Sequence, residues 1–190
     1  MSSVPIQPRK VAFDVSSVPR HWNGGDPVLT RFFDALSVHF PEGERFFIQS
    51  VRNYRQEITD PHLKEQVSAF IGQEGFHTRE HEEYNEALQA EGMPIEAMDA
   101  VVVRLLELVK KAPRSVQLAA TVALEHLTAV LGDMLLRNTE LMEGVDPHYS
   151  AIWRWHAIEE TEHKAVCFDA FEQVVGKGIQ AYGLRVGAFL

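Results

Sequence analysis

Gln73-Glu74-Gly75-Phe76-His77 and Glu159-Glu160-Thr161-Glu162-His163 carry two copies of one pattern, Glu-x-x-His. On a helix, residues three apart lie on one face, so each copy aims a carboxylate and an imidazole the same way. Stepping by fours and threes through the first copy gives Leu63, Val67, Phe70, Glu74, His77, His81, Tyr84 and Leu88. The second gives Tyr149, Trp153, His156, Glu160, His163, Cys167, Ala170 and Val174. Both are bundle seams, apolar at the ends and ligand-type in the middle. An ionised carboxylate buried on such a seam needs a counter-charge. Neither seam holds a lysine or arginine, and a metal supplies the charge.

Two Glu-x-x-His helices facing each other, with one Glu from each of two further helices, make a two-metal site in a bundle core. Both extra acids are present. Glu44 is the one acid in the row Phe40, Glu44, Phe47, Val51, Tyr54, Ile58, and Glu125 the one acid in Leu118, Val122, Glu125, Ala129, Gly132, Leu136.

The rest of the chain punctuates these seams. Residues 1–26 hold Pro5, Pro8, Pro19, Gly24 and Gly25 and read as an irregular arm, with Val11-Ala12-Phe13 packing on the bundle. Asp26-Pro27, Asp60-Pro61 and Asp146-Pro147 are helix starts, an N-cap followed by proline at the first position. A helix runs from Pro27 to about His39, and Pro41 resets it. The spacing predicts four long helices near 41–58, 60–90, 114–142 and 147–175, with an amphipathic crossover from Ile95 to Lys110. The small residues Ala123, Ala129 and Gly132 permit close helix approach or leave room for a ligand. Residues 27–176 form the bundle, and residues 177–190 the start of a further helix or a tail. The expected class is all-α.

At 190 residues, with 45% hydrophobic and 24% charged, the chain can bury a core. Its net charge of −9 and lack of a basic stripe argue against nucleic acid. No apolar run approaches the roughly 18–20 residues of a membrane span. The N-terminus lacks the apolar core of a signal peptide, and the single Cys167 permits no internal disulfide, so the expected compartment is the cytoplasm. Oligomeric state is open, with a homodimer as one expectation.

Four carboxylates offset two divalent ions, and imidazole with carboxylate suits iron or manganese and, less selectively, zinc. Glu44, Glu74-x-x-His77, Glu125 and Glu160-x-x-His163 resemble the ferritin-like di-iron carboxylate pattern. Phe40-Pro41-Glu42-Gly43-Glu44, Gln73-Glu74-Gly75-Phe76-His77 and Trp155-His156-x-x-Glu159-Glu160-x-x-His163 resemble a bacterial family of predicted metal-dependent hydrolases. That resemblance covers roughly Phe13 to Val175 and implies a ferritin-like bundle with a binuclear centre.

The expected metal ligands are Glu44, Glu74, His77, Glu125, Glu160 and His163. His81 and His156 are either additional ligands or hydrogen-bonded neighbours. Glu159 rivals Glu160, which is preferred because it alone stands three residues before a histidine; Glu159 is expected to be dispensable for the metals. His126 reads as a neighbour or a helix-face residue, and Trp153, Trp155, Phe46 and Phe47 as packing. The leading expectation is an oxygen-activating oxidase or oxygenase on a small organic substrate. There Glu44, Glu74, Glu125 and Glu160 move between bridging and terminal modes. The alternatives are a two-metal hydrolase and a non-catalytic ferroxidase or iron-binding protein.

Overall fold

A computed structural model describes residues 6–16 and 19–190 of the chain. Among the described residues seven α-helices follow one another: α1 Pro27–Arg52, α2 Pro61–Ala90, α3 Ile95–Val109, α4 Arg114–Arg137, α5 Pro147–His163, α6 Val166–Val174 and α7 Ile179–Phe189. A 3₁₀ turn, Thr139–Met142, joins α4 to α5. No strand occurs among the described residues beyond one isolated bridge, Asn23 to Val145, so the class is all-α as expected.

The three Asp-Pro starts cap α1, α2 and α5. Asp26, Asp60 and Asp146 each accept hydrogen bonds from the first free backbone N–H groups of their helices. Each proline takes the first helical position, where a missing N–H costs nothing. Helix α2 and the crossover α3 have the expected bounds within a residue.

Three bounds differ. First, Pro41 does not reset a helix: α1 runs through it from Pro27 to Arg52, and residues 53–57 are turns. Proline inside a helix leaves the carbonyl four residues earlier, here that of Ser37, without its usual donor. Asn85 Nδ2 donates to that carbonyl at 2.9 Å, so α2 repairs the gap in α1. Second, the fourth expected helix is two. It stops after His163 and resumes at Val166, and Lys164 closes α5. Third, α4 ends at Arg137, short of the expected 142.

Helix α1 lies along α2, with α3 against α1; α4 lies along α5, α6 and α7. Gly132 sets the close approach of α4 to α5, since a Cβ there would meet the Ala157 carbonyl at 3.1 Å. By length and composition α4 is long and apolar enough to cross a membrane, which the residue runs did not suggest; 44% of that window is buried within the protein.

The apolar core is in two parts. One gathers Phe46, Val51, Val67, Phe70, Leu118 and Phe171. The other gathers Trp22, Phe33, Tyr84, Leu88, Tyr149 and Trp153. Along α2 the sequence passes from Phe70 in the first through Glu74, His77 and His81 to Tyr84 in the second, all buried. A polar layer therefore crosses the bundle between two apolar ends.

The arm is anchored where it is described. Phe13 packs on Trp155 with ring centres 5.3 Å apart, and Trp22 donates from Nε1 to the buried Asp34 at 2.9 Å. Residues 1–5, 17 and 18, with Pro5 among them, lie outside the described residues.

Candidate metal centre

The layer brings together all six expected ligands. Glu44 comes from α1, Glu74 and His77 from α2, Glu125 from α4, and Glu160 and His163 from α5. None exceeds 4% exposure, so solvent does not screen their charges.

Their inward atoms lack partners. Glu44 Oε1, both oxygens of Glu74 and of Glu125, Glu160 Oε2, His77 Nδ1 and His163 Nε2 are buried without a hydrogen bond. Buried polar atoms are nearly always paired, so eight orphans in one layer require an explanation. Other buried acids of this chain are satisfied. Asp34 accepts from Trp22 and Tyr84, Glu80 from the Phe13 amide, and Glu159 from Arg9. Among the described residues, the fully buried acids left with unpartnered oxygens are the four expected ligands; the other such acid oxygen is Oδ1 of the part-buried Asp99, on α3.

Ligand-type atoms fall into overlapping groups, each able to hold an ion: Glu44, His77 and His156; Glu74, His77 and Glu160; Glu74, Glu125 and His163. Glu160 spans them. Its Oε1 lies 3.0 Å from His156 Nε2 and 3.6 Å from His77 Nδ1, while its Oε2 lies 3.5 Å from His163 Nε2. Glu74 Oε1 lies between the two motif histidines, 3.9 Å from His77 Nδ1 and 3.2 Å from His163 Nε2. Carboxylate and imidazole atoms converging with so few hydrogen-bond partners fit divalent cations.

Each motif histidine is held from behind by the other motif. His77 donates from Nε2 to Glu159 at 3.1 Å, and His163 donates from Nδ1 to Gln73 Oε1 at 2.9 Å. A carboxylate and an amide oxygen only accept, so each contact places the ring proton outward and turns the bare nitrogen inward. Glu159 and Gln73 stand one residue before Glu160 and Glu74, so the repeat is longer than Glu-x-x-His and its copies brace each other. Glu159, expected from the sequence to be dispensable for the metals, is the hydrogen-bond partner of His77.

Arg9 ties both supports together. It binds Glu159 at 3.1 Å and Glu162 at 2.5 Å, and Glu162 accepts from Gln73 Nε2 at 3.0 Å. Nothing in the spacing of the arm announced Arg9, because its partners are more than a hundred residues away.

His156 and His81 have different places. Ser37 donates to Asn85 Oδ1 at 2.9 Å, which leaves Ser37 Oγ to accept from His81 Nδ1 at 2.9 Å. His81 Nε2 then accepts from His156 Nδ1 at 2.7 Å. His156 Nε2 is the nitrogen left over from this chain, and it faces Glu160 and Glu44, at 3.0 and 4.0 Å. The structure therefore sets His156 among the ligand atoms and His81 behind it. His126 is exposed on the face of α4, its ring 5.6 Å from that of Phe189.

Burial pushes the carboxyls of Glu44 and Glu74 well above the usual carboxylate range, and that of Glu125 to about 7. Burial works the same way on Glu160, but His163 and His156 outweigh it and hold that carboxyl well below its usual value. His163 is the converse: burial opposes its charge, yet Glu160 and Glu125 raise it. Burial and the neighbouring His156 lower the rings of His77 and His81.

A narrow apolar cavity of about 50 Å³ reaches the layer at His156 and Glu160, lined by Phe33, Phe40, Leu135 and Trp153 among others. A wider one touches it at Glu125.

Fold and site together define an all-α protein whose buried carboxylate–histidine layer has the donor chemistry of a metal centre. Over residues 7–190 the chain matches a family described as predicted metal-dependent hydrolases, and it belongs to that family. No curated protein and no solved structure matches it.

Proposed function

We propose that this protein is a binuclear metal-dependent hydrolase of small organic substrates, built on a ferritin-like arrangement of helices. One observation carries the reading: eight ligand-type atoms, buried and unpartnered, converge in one layer of a chain whose family is described as metal-dependent. One ion would be held by Glu44, His77 and His156, the other by Glu125 and His163. Glu74 and Glu160 would be shared. Iron, manganese and zinc all match this donor set. When bound, two divalent ions supply Lewis acidity at a substrate oxygen and lower the pKa of water.

The chain's own residues do the rest. Glu159 keeps a proton on His77 Nε2, and Gln73 keeps one on His163 Nδ1, so neither ring can turn its lone pair away. The Ser37–His81 relay does the same for His156. Trp155, packed edge-on to His77 at 4.8 Å, and Phe70, edge-on to His163 at 4.9 Å, close the layer to bulk water.

The expected oxygen-activating chemistry is the second reading. The family description favours hydrolysis. The specific observation for oxygen chemistry is the narrow apolar cavity ending at His156 and Glu160, which suits a small apolar co-substrate. Purified protein loaded with zinc, manganese or ferrous iron and offered ester, amide and phosphate panels separates the two. The hydrolase reading expects turnover that disappears in Glu160→Ala together with the metal. Dioxygen consumption by the ferrous form, with every panel silent, would establish the oxidase instead.

A further inference from the structure

The wider cavity has a composition unlike that of the chain around it. It occupies about 520 Å³ between α4, the start of α6 and α7, and ends on Glu125. That is within the range of roughly 300–1,000 Å³ typical of small-molecule sites. The chain as a whole is acidic, with 27 Asp and Glu against 18 Lys and Arg. The cavity reverses this balance. Lys164 and Arg185 stand on its wall, and Glu125 is the one acid there among the described residues.

Neither cation is engaged by an acid. Among the described residues, Lys164 and Arg185 form no ion pair, as is also true of Arg20, Arg52 and Arg104, which do not line this cavity. Arg185 is held in place by rings instead. Its guanidinium lies 4.8 Å from the ring centre of Phe168 and 5.4 Å from that of Phe171. Stacking on an aromatic face leaves the in-plane N–H groups free for a planar or tetrahedral oxyanion. Arg185 Nη1 is buried and has no hydrogen-bond partner. Such an unsatisfied nitrogen is rare, and it leaves Arg185, on the cavity wall, with an unused donor.

We infer that this cavity is the substrate site and that it takes a small organic anion with an apolar body. Arg185 and Lys164 bind its carboxylate or phosphate group, and its other end stands against Glu125. The apolar wall, with Phe168 and Val186, accounts for the body of the molecule. The inference rests on the metal-centre reading only for what lies beyond Glu125. Anion binding itself is a property of α5, α6 and α7.

Two fluorescent dyes of nearly the same shape test it: 8-anilinonaphthalene-1-sulfonate, an anion, and N-phenyl-1-naphthylamine, which is uncharged. Arg185→Met and Lys164→Met should each weaken the sulfonate about tenfold, as expected for loss of one charge-assisted hydrogen bond. They should leave the neutral dye unchanged. Val186→Trp, which fills the cavity from a partly exposed position, should weaken both dyes. Equal effects of the charge variants on the two dyes, or sulfonate binding unaffected by Val186→Trp, would overturn the inference. Hexanoate and phenyl phosphate, as competitors, assign the charged group; displacement by neither also overturns it. Metal content is measured on the same samples. Its retention in all three variants, with loss in Glu125→Gln, keeps a failure here distinct from a failure of the metal reading.

Discussion

His77 offers Nδ1 to the centre only while Nε2 keeps its proton on Glu159. In Glu159→Gln the acceptor is a neutral amide that can also turn its NH₂ toward the ring. Metal affinity should fall about 10- to 100-fold, the usual effect of losing such a support. Titration against a fluorescent chelator measures it. Unchanged affinity would mean that the ring is held by its packing on Trp155 alone. Glu160→Ala should be more severe, because the two oxygens of Glu160 face different histidines. Elemental analysis should find neither ion retained, while Glu162→Gln retains both with weakened affinity.

At the scale of the elements, two repairs hold the layer in register. The first is Asn85, whose amide satisfies the Ser37 carbonyl that Pro41 leaves open. Asn85→Ala strands that buried carbonyl and should cost about 1–3 kcal/mol in urea unfolding. Adding Pro41→Ala restores an N–H inside α1, so the double variant should recover part of the loss. Strict additivity of the two changes would refute this account of the proline. The second is Arg9, which joins the arm to the acids behind both motif histidines. Arg9→Ala should weaken both metal sites together, and calorimetric titration should show one shared shift rather than loss at a single site.

For the whole molecule, the unpaired acids give the metal-free protein an unusual pH response. Glu44, Glu74 and Glu125 have raised pKa values when folded, above 4.5. The folded state therefore binds more protons than the unfolded one above that value, and stability falls as pH rises through the folded pKa. For Glu125 that is about 7. The raised His163 acts in the same direction, and the lowered Glu160 favours folding above 4.5 throughout this window. The lowered His77 and His81 oppose the fall, because below about 6.5 their unfolded rings take up protons that the folded rings do not, but the four raised groups outnumber these two. The melting temperature of metal-free protein should drop from about pH 5 to about pH 8. Added divalent metal should raise it by a margin that grows with pH, since ligation requires deprotonated ligands. A metal-free protein that gains stability over this range would contradict the reading of the layer as an unbalanced acid cluster.

The local pattern of the chain decided more than half of this. Seam periodicity placed Leu63, Val67, Phe70, Glu74, His77, His81, Tyr84 and Leu88 on one buried face, because helical spacing depends only on neighbours three and four apart. Asp-Pro caps marked three helix starts for the same reason. The six ligand candidates were legible because an acid alone in an apolar row stands out without knowledge of its partner. Tertiary structure decided what depends on distant residues. Locally Pro41 reads as a break, because the donor that rescues α1 comes from Asn85 on another helix. The different places of His81, behind the layer, and His156, among the ligand-type atoms, depend on a hydrogen-bond chain through Ser37 and Asn85. The contact of Glu159 is not legible locally because its partner, His77, lies 82 residues away, although Gln73 holds the matching position in the first copy. Arg9 and Arg185 owe their roles entirely to folding. An arginine is common on any surface, and only the three-dimensional arrangement shows which acids, rings or open cavities it meets.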